Sequence, residues 1–185
     1  MTKTHAEHFL DQAEGAGQHT LDETERAVSQ RIAALPIDTQ AMAIVSDVHR
    51  VATAMRGHFE RTVFSPHGLT WTGWVVLWVV WVWQEIESRH VAIEAGIAKA
   101  TLTGVATTLV RRGWLTRRTD PDDGRRVLLS LTDEGVRLAE ELFPRFHAEE
   151  SAVASSLEPE EAATLVVALR KLTLHLEEQR ATSGV

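Results

Sequence analysis

Between Leu69 and Trp83 the chain reads Leu-Thr-Trp-Thr-Gly-Trp-Val-Val-Leu-Trp-Val-Val-Trp-Val-Trp, with no charged side chain. A segment this apolar has to be covered. A bilayer-spanning helix needs roughly 20 such residues, so this one is too short to cross and is expected at the centre of a globular domain. Trp71, Trp74, Trp78 and Trp81 recur at spacings of three, four and three, which puts all four on one helix face. Val75, Val76, Leu77, Val79 and Val80 fill the other faces, so the helix is expected to be buried nearly all round. The β-branched content also permits a strand, but length and tryptophan period favour a helix capped by Thr70.

The flanking sequence supplies the cover. Thr20 and Glu23 have capping-box spacing for a helix running to about Ala34, before Pro36. A long helix is expected over 38–63, where Ile44, Val48, Val51, Met55 and Phe59 form one stripe. Thr132 opens another long helix carrying Val136, Ala139, Phe143 and Phe146, which Pro144 should kink. A last helix follows Glu158, with Leu165, Leu169, Leu172 and Leu176 in a stripe. Residues 1–19 show no sustained period and are expected to be a mobile tail. The start of the chain is polar and lacks a signal-peptide pattern, so a cytoplasmic protein with no membrane contact is expected. None of the 185 residues is a cysteine, which excludes disulfides, thiolate metal sites and a cysteine redox switch.

Two short helices lie in the middle of the chain. Val91–Ile97 ends at a turn containing Gly96, and Thr101–Arg112 follows, with Leu102, Val105, Ala106, Leu109 and Val110 facing inward. In a helix-turn-helix the second helix enters the major groove with its N-terminal residues on the base edges. Here those residues are Lys99, Thr101 and Thr103, with Thr107 one turn on. Two extended runs, Trp114–Thr119 and Val127–Leu131, are joined by Asp120-Pro121-Asp122-Asp123-Gly124-Arg125-Arg126, a hairpin with a charged tip. From Lys99 to Arg126 seven cations face three aspartates, although the chain carries −7 overall. Phosphate binding depends on a local basic surface, not on total charge. A solvated charged face is the plainer reading of that run.

These residues resemble the MarR family of transcription regulators over roughly 40–180. Five pieces in order carry the resemblance: Gly68-Leu69-Thr70; Gly96 to Thr103; Leu109 to Arg117; Asp120 to Arg126; and Leu131-Thr132-Asp133-Glu134-Gly135. The resemblance implies a mainly helical α+β fold, a winged helix-turn-helix with N- and C-terminal dimerisation helices. It divides the chain into the tail 1–19, dimerisation helices 20–66, the DNA-binding domain 67–131 and dimerisation helices 132–180. It also implies a homodimer on a pseudo-palindromic operator of double-stranded DNA. Arg125 would enter the minor groove, and Asp123 would hold the neighbouring arginines. Two positions depart from the family pattern: Gly104, where many members carry a polar residue, and Gly124, between the wing aspartate and arginine. A urate-responsive branch needs a tryptophan in the extra N-terminal helix and an acid after the Gly-Trp pair. Neither is present, since 20–34 lacks tryptophan and Val75 follows Trp74.

The expected DNA-contacting set is therefore Lys99, Thr101, Thr103, Thr107, Arg111, Arg117, Asp123, Arg125 and Arg126. Arg111 and Arg112 also suit the C-terminal dipole of their helix, and at most one of Arg117 and Arg118 should face DNA, because strand faces alternate. Met55, His67, Trp71, Trp74 and Trp78 could line a pocket for a small aromatic or phenolic effector, against the plainer reading of core packing. The nine histidines form no tight set, so no metal is expected, nor is a cofactor. Winged-helix dimerisation modules also occur in small-molecule methyltransferases. No glycine-rich cofactor loop follows a strand here and no catalytic constellation stands out, so no enzyme is expected. A helical adaptor or effector-binding protein that kept the fold and lost specific DNA binding is the remaining alternative.

Overall fold

The computed structural model describes residues 19–183. The chain divides after Arg50 into two compact units. In the first, Thr20 and Glu23 close the expected capping box of α1 (Leu21–Ile32): the Thr20 hydroxyl accepts from the Glu23 amide, and the Glu23 carboxylate accepts from the Thr20 amide at 2.8 Å. Helix α2 (Thr39–Phe59) begins beyond Pro36, where the Asp38 carboxylate accepts from the Gln40 and Ala41 amides. Arg50 lies 3.5 Å from Glu25 and 3.7 Å from Asp47. The tail expected over 1–19 lies almost wholly outside the described residues.

In the second unit α2 passes without a break into a π-helical turn, Glu60–Phe64, and a 3-10 turn, Ser65–His67. The change of pitch turns Val63 and Phe64 into the core, beside Phe59. Helix α3 (Trp71–Trp83) is the tryptophan segment, and it is a helix. Thr70 caps it by accepting from the Gly73 amide, and Glu60 reaches back to accept from the Trp71 amide at 2.8 Å. Two of the orphan donors at this helix start are thereby satisfied, with negative charge at the positive end of the dipole. Trp74, Val76, Leu77 and Val80 are almost completely buried, whereas Val82 and Trp83 emerge at the far end.

Strand β1 (Glu85–Glu87), α4 (Ser88–Glu94), α5 (Lys99–Arg111), β2 (Leu115–Thr119), β3 (Val127–Leu131), α6 (Asp133–Ala154) and α7 (Pro159–Ser183) complete the chain. The sheet is antiparallel in the order β1-β3-β2, so the hairpin gains a third strand that the sequence did not announce. That strand also starts α4 three residues earlier than expected. Helix α6 is continuous through Pro144.

One aromatic cluster fills the centre of this unit. Phe146 of α6 stands edge-on to Phe59 at 5.1 Å, to Trp74 at 5.7 Å and to Trp71 at 6.1 Å. Phe64 stacks on Trp74 at 4.9 Å, and Phe143 stacks on Trp78 at 5.0 Å. Such ring pairs add to the large area each aromatic buries. The long apolar stripes behave differently. Ile44, Val48 and Val51 of α2, and Leu165, Leu169, Leu172 and Leu176 of α7, are all more than a third exposed. Of the five α5 residues expected to face inward, Leu102, Ala106 and Leu109 are buried and Val105 is half-buried, but Val110 is 39% exposed.

Candidate nucleic-acid interface

Gly96 makes the turn between α4 and α5 with φ +63, a left-handed conformation that costs glycine nothing. Ala98 then opens α5 with no side-chain cap, so its first-turn amides keep no side-chain partner. Thr101, Thr103, Gly104, Thr107 and Arg111 are exposed along the helix. The Thr103 hydroxyl donates to the Lys99 carbonyl at 3.0 Å, and that of Thr107 to the Thr103 carbonyl at 2.8 Å. Bound this way, each hydroxyl still offers lone pairs, so it presents an acceptor to incoming N–H donors.

The wing loop is held by its own aspartates. The Asp120 carboxylate accepts from the Asp122 amide, and that of Asp123 from the Arg125 amide at 3.1 Å. Asp123 also lies 3.3 Å from the Arg126 guanidinium and 3.9 Å from that of Arg125. The Arg125 side chain is 98% exposed, so no protein group buries it.

Strand alternation sorts the next two cations. Arg118 crosses β3 to form two hydrogen bonds with Glu85 of β1, at 2.9 and 2.7 Å. The Arg118 hydrogen bond holds the Glu85 carboxyl below its ordinary value, and Glu85 raises Arg118 in turn. Arg117, on the other face, lines a cleft together with Lys99, Thr103 and Arg125. Because Glu85 is depressed in the fold, its contribution is present above the unfolded carboxylate value and is lost as pH falls through the folded one. Glu85→Gln should therefore melt below the wild type at neutral pH, and the gap should close on acidification. A gap that stays constant down the acid limb of thermal melts would contradict this.

The structure thus gathers four expected residues, Lys99, Thr103, Arg117 and Arg125, from α5, β2 and the wing into one cleft. Thr101, Thr107 and Arg111 sit on the exposed α5 surface outside it, and Arg126 is tied to Asp123. Arg89 also lines the cleft, paired with Glu87 at 2.9 Å, and sequence reasoning missed it. The missing signal was β1: with α4 placed from Val91, Arg89 fell outside the helix pair. Of the expected effector residues, Trp71, Trp74 and Trp78 join the aromatic cluster, and Met55 packs, partly buried, against the same hydrophobic core. Trp74 is only 2% exposed, whereas Trp71 and Trp78 keep partial exposure. His67 instead stands 3.5 Å from Arg145. Among the described residues no group of three potential ligands could hold a metal ion, and no helix is long and apolar enough to cross a membrane.

The arrangement is similar to that of known proteins. The MarR family model matches residues 69–127, the span from the tryptophan helix through the wing. The uncharacterized HTH-type transcriptional regulator YwaE of Bacillus subtilis is 31% identical over 167 residues, covering 88% of this chain and 98% of its own. Among solved structures, Bordetella bronchiseptica BpsR, described for the regulation of its DNA binding by 6-hydroxynicotinic acid, aligns with TM-score 0.65. It is 29% identical, and the match covers 71% of this chain and 98% of BpsR. The PcaV transcriptional regulator of Streptomyces coelicolor, in complex with its natural ligand, gives TM-score 0.63 at 27% identity, over 77% of this chain and 94% of its own.

Proposed function

The chain belongs to the MarR family of winged helix-turn-helix transcriptional regulators, and from that premise we propose that it is a homodimeric repressor binding a pseudo-palindromic operator. The observation that carries this reading is the cleft of Lys99, Thr103, Arg117 and Arg125, where cations from three elements converge beside the exposed face of α5. Phosphates anchor on such cations and on the uncapped amides of α5, while Thr101, Thr103 and Thr107 meet base edges. Arg125 enters the adjoining minor groove, where narrow A·T tracts concentrate negative potential. Two subunits place their α5 helices in successive major grooves, about 34–36 Å apart. Occupying a promoter in this way blocks polymerase, and no catalytic step is involved.

The dimer accounts for the apolar stripes of α2 and α7, which a single chain leaves in water. Exposed patches of this kind mark association surfaces. Leu169→Glu combined with Leu172→Glu should halve the mass seen in sedimentation while leaving the helical signal intact. A wild-type chain that sediments as a monomer would remove the dimer from the proposal.

A small aromatic effector fits the partly exposed edge of the cluster at Met55, Trp71 and Trp78, and the 6-hydroxynicotinic acid response of BpsR supports that class. Its binding would shift the population between dimer geometries that do and do not span two grooves. The decisive experiment is a duplex titration over a range of salt. We expect log-affinity to fall linearly with log-salt, with a slope set by several released counterions. Absent or salt-insensitive binding would instead identify an adaptor that has lost specific DNA recognition.

A further inference from the structure

Between Lys99 and Arg111, α5 carries no charged, amide or aromatic side chain, and the residues it exposes are Ala100, Thr101, Thr103, Gly104, Thr107 and Val110. Thr103 and Thr107 stand one turn apart on one face. Their hydroxyls are committed to the helix itself, each donating to the carbonyl four residues back, at 3.0 Å for Thr103 and 2.8 Å for Thr107. The half-buried Thr108 repeats the pattern on the Gly104 carbonyl at 3.2 Å. Such a bond selects the side-chain rotamer, because the oxygen has to lie against the preceding turn. It also uses the one proton a hydroxyl has. What each side chain keeps for a partner is the remaining lone-pair capacity of its oxygen and the Cγ2 methyl, the free branch on Cβ.

We propose that Thr103 and Thr107 determine specificity by packing their methyl groups on the C5 methyl of thymine, while their oxygens accept from adenine amino groups. In the major groove only an A·T pair offers both a methyl group and an amino donor. A G·C pair offers the cytosine amino group, but it also presents the guanine O6 and N7 acceptors, and neither threonine has a proton to give them. Turning a hydroxyl out to donate would give up its bond to the helix. The other donors on this face are at its ends, Lys99 and Thr101 in the first turn and Arg111 in the last. Guanine is therefore confined to base pairs reached by the ends of α5, and the centre of each half-site is held to A·T. This specificity rests on the proposed DNA binding and specifies its chemistry.

The test uses the full chain and a duplex that it selects from a random pool. Deoxyuridine is placed at each thymine of that duplex in turn, which removes one methyl group and leaves the hydrogen-bonding edge of the pair unchanged. At the thymines met by Thr103 and Thr107, each lost methyl should weaken binding by about fourfold, and thymines elsewhere should tolerate the exchange. Thr103→Ser and Thr107→Ser keep the hydroxyl and remove the methyl. Each should weaken the thymine duplex by a similar factor and become indifferent to deoxyuridine at one position where the wild type is sensitive, the non-additivity expected of a direct contact. Thr103→Val and Thr107→Val keep a methyl and should retain the deoxyuridine effect. Both positions are exposed, and thermal melts check that the variants are folded. Deoxyuridine tolerated at every thymine of a specifically bound duplex would overturn the proposal and leave DNA binding standing. A loss that persists in both serine variants would also overturn it, because another group would then meet the methyl. So would a selected site with G·C pairs at the centre of each half-site. If the chain selects no duplex and binds none, the DNA reading fails and this specificity fails with it.

Discussion

Gly135→Ala should destabilise the fold by about 3 kcal/mol or more, although alanine is the better helix former. Gly135 sits in the first turn of α6, where a Cβ would stand 2.0 Å from the Trp114 carbonyl oxygen and 2.9 Å from its carbon. That carbonyl cannot give way freely, because it accepts from the Thr132 amide at 3.1 Å. The Thr132 hydroxyl donates to the Gly113 carbonyl at 2.6 Å and accepts from the Gly135 amide at 3.0 Å. One methyl group would therefore push apart the end of α5, the start of β2 and the cap of α6 together. Gly104→Ala is the control, since its Cβ meets open space in mid-helix and gains up to about 1 kcal/mol of propensity. Urea unfolding followed by circular dichroism measures both. Equal midpoints for Gly135→Ala and the wild type would show that the close approach relaxes at no cost.

The contrast between these two glycines shows what sequence reasoning reaches here. Caps were readable because they are local: Thr20, Thr70 and Thr132 each close a turn within three residues. Helix periods were readable as well, including the tryptophan face of α3. Strand β1 was not, because three residues with no alternating run are a strand only by pairing with β3, more than forty residues on. The apolar stripes of α2 and α7 were correctly seen, but periodicity records that a face is apolar and not what covers it. Phe143 and Phe146 appeared as a stripe on their own helix. Their role as the centre of the aromatic cluster depends on contacts across some seventy residues of chain. For Arg111 and Arg112 the sequence leaves phosphate contact and helix-dipole capping open, and it does not announce that the Arg112 guanidinium lies over the Trp114 ring.

Arg125→Ala should cost about 1–3 kcal/mol of duplex affinity and almost nothing in stability. The side chain is 98% exposed, and its 3.9 Å approach to Asp123 is a solvent-screened pair of small worth. Its removal therefore leaves no cavity and no orphaned buried group, and any loss of binding has to come from contact with DNA. Arg118→Ala gives the opposing case. Arg118 is a cation two positions inside the hairpin, but its guanidinium is engaged by Glu85 on the far edge of the sheet. Removing it should reduce stability modestly and leave affinity nearly unchanged once protein is folded. Fluorescence anisotropy against a duplex selected by the protein from a random pool, at several salt concentrations, separates the two. For Arg125→Ala the salt slope should fall by about one counterion if the residue meets phosphates, whereas a loss confined to A·T-rich flanks would place it in the minor groove. Should Arg118→Ala weaken binding as much as Arg125→Ala, the basic hairpin would act only through its total charge, and the sorting of its two faces would carry no functional meaning.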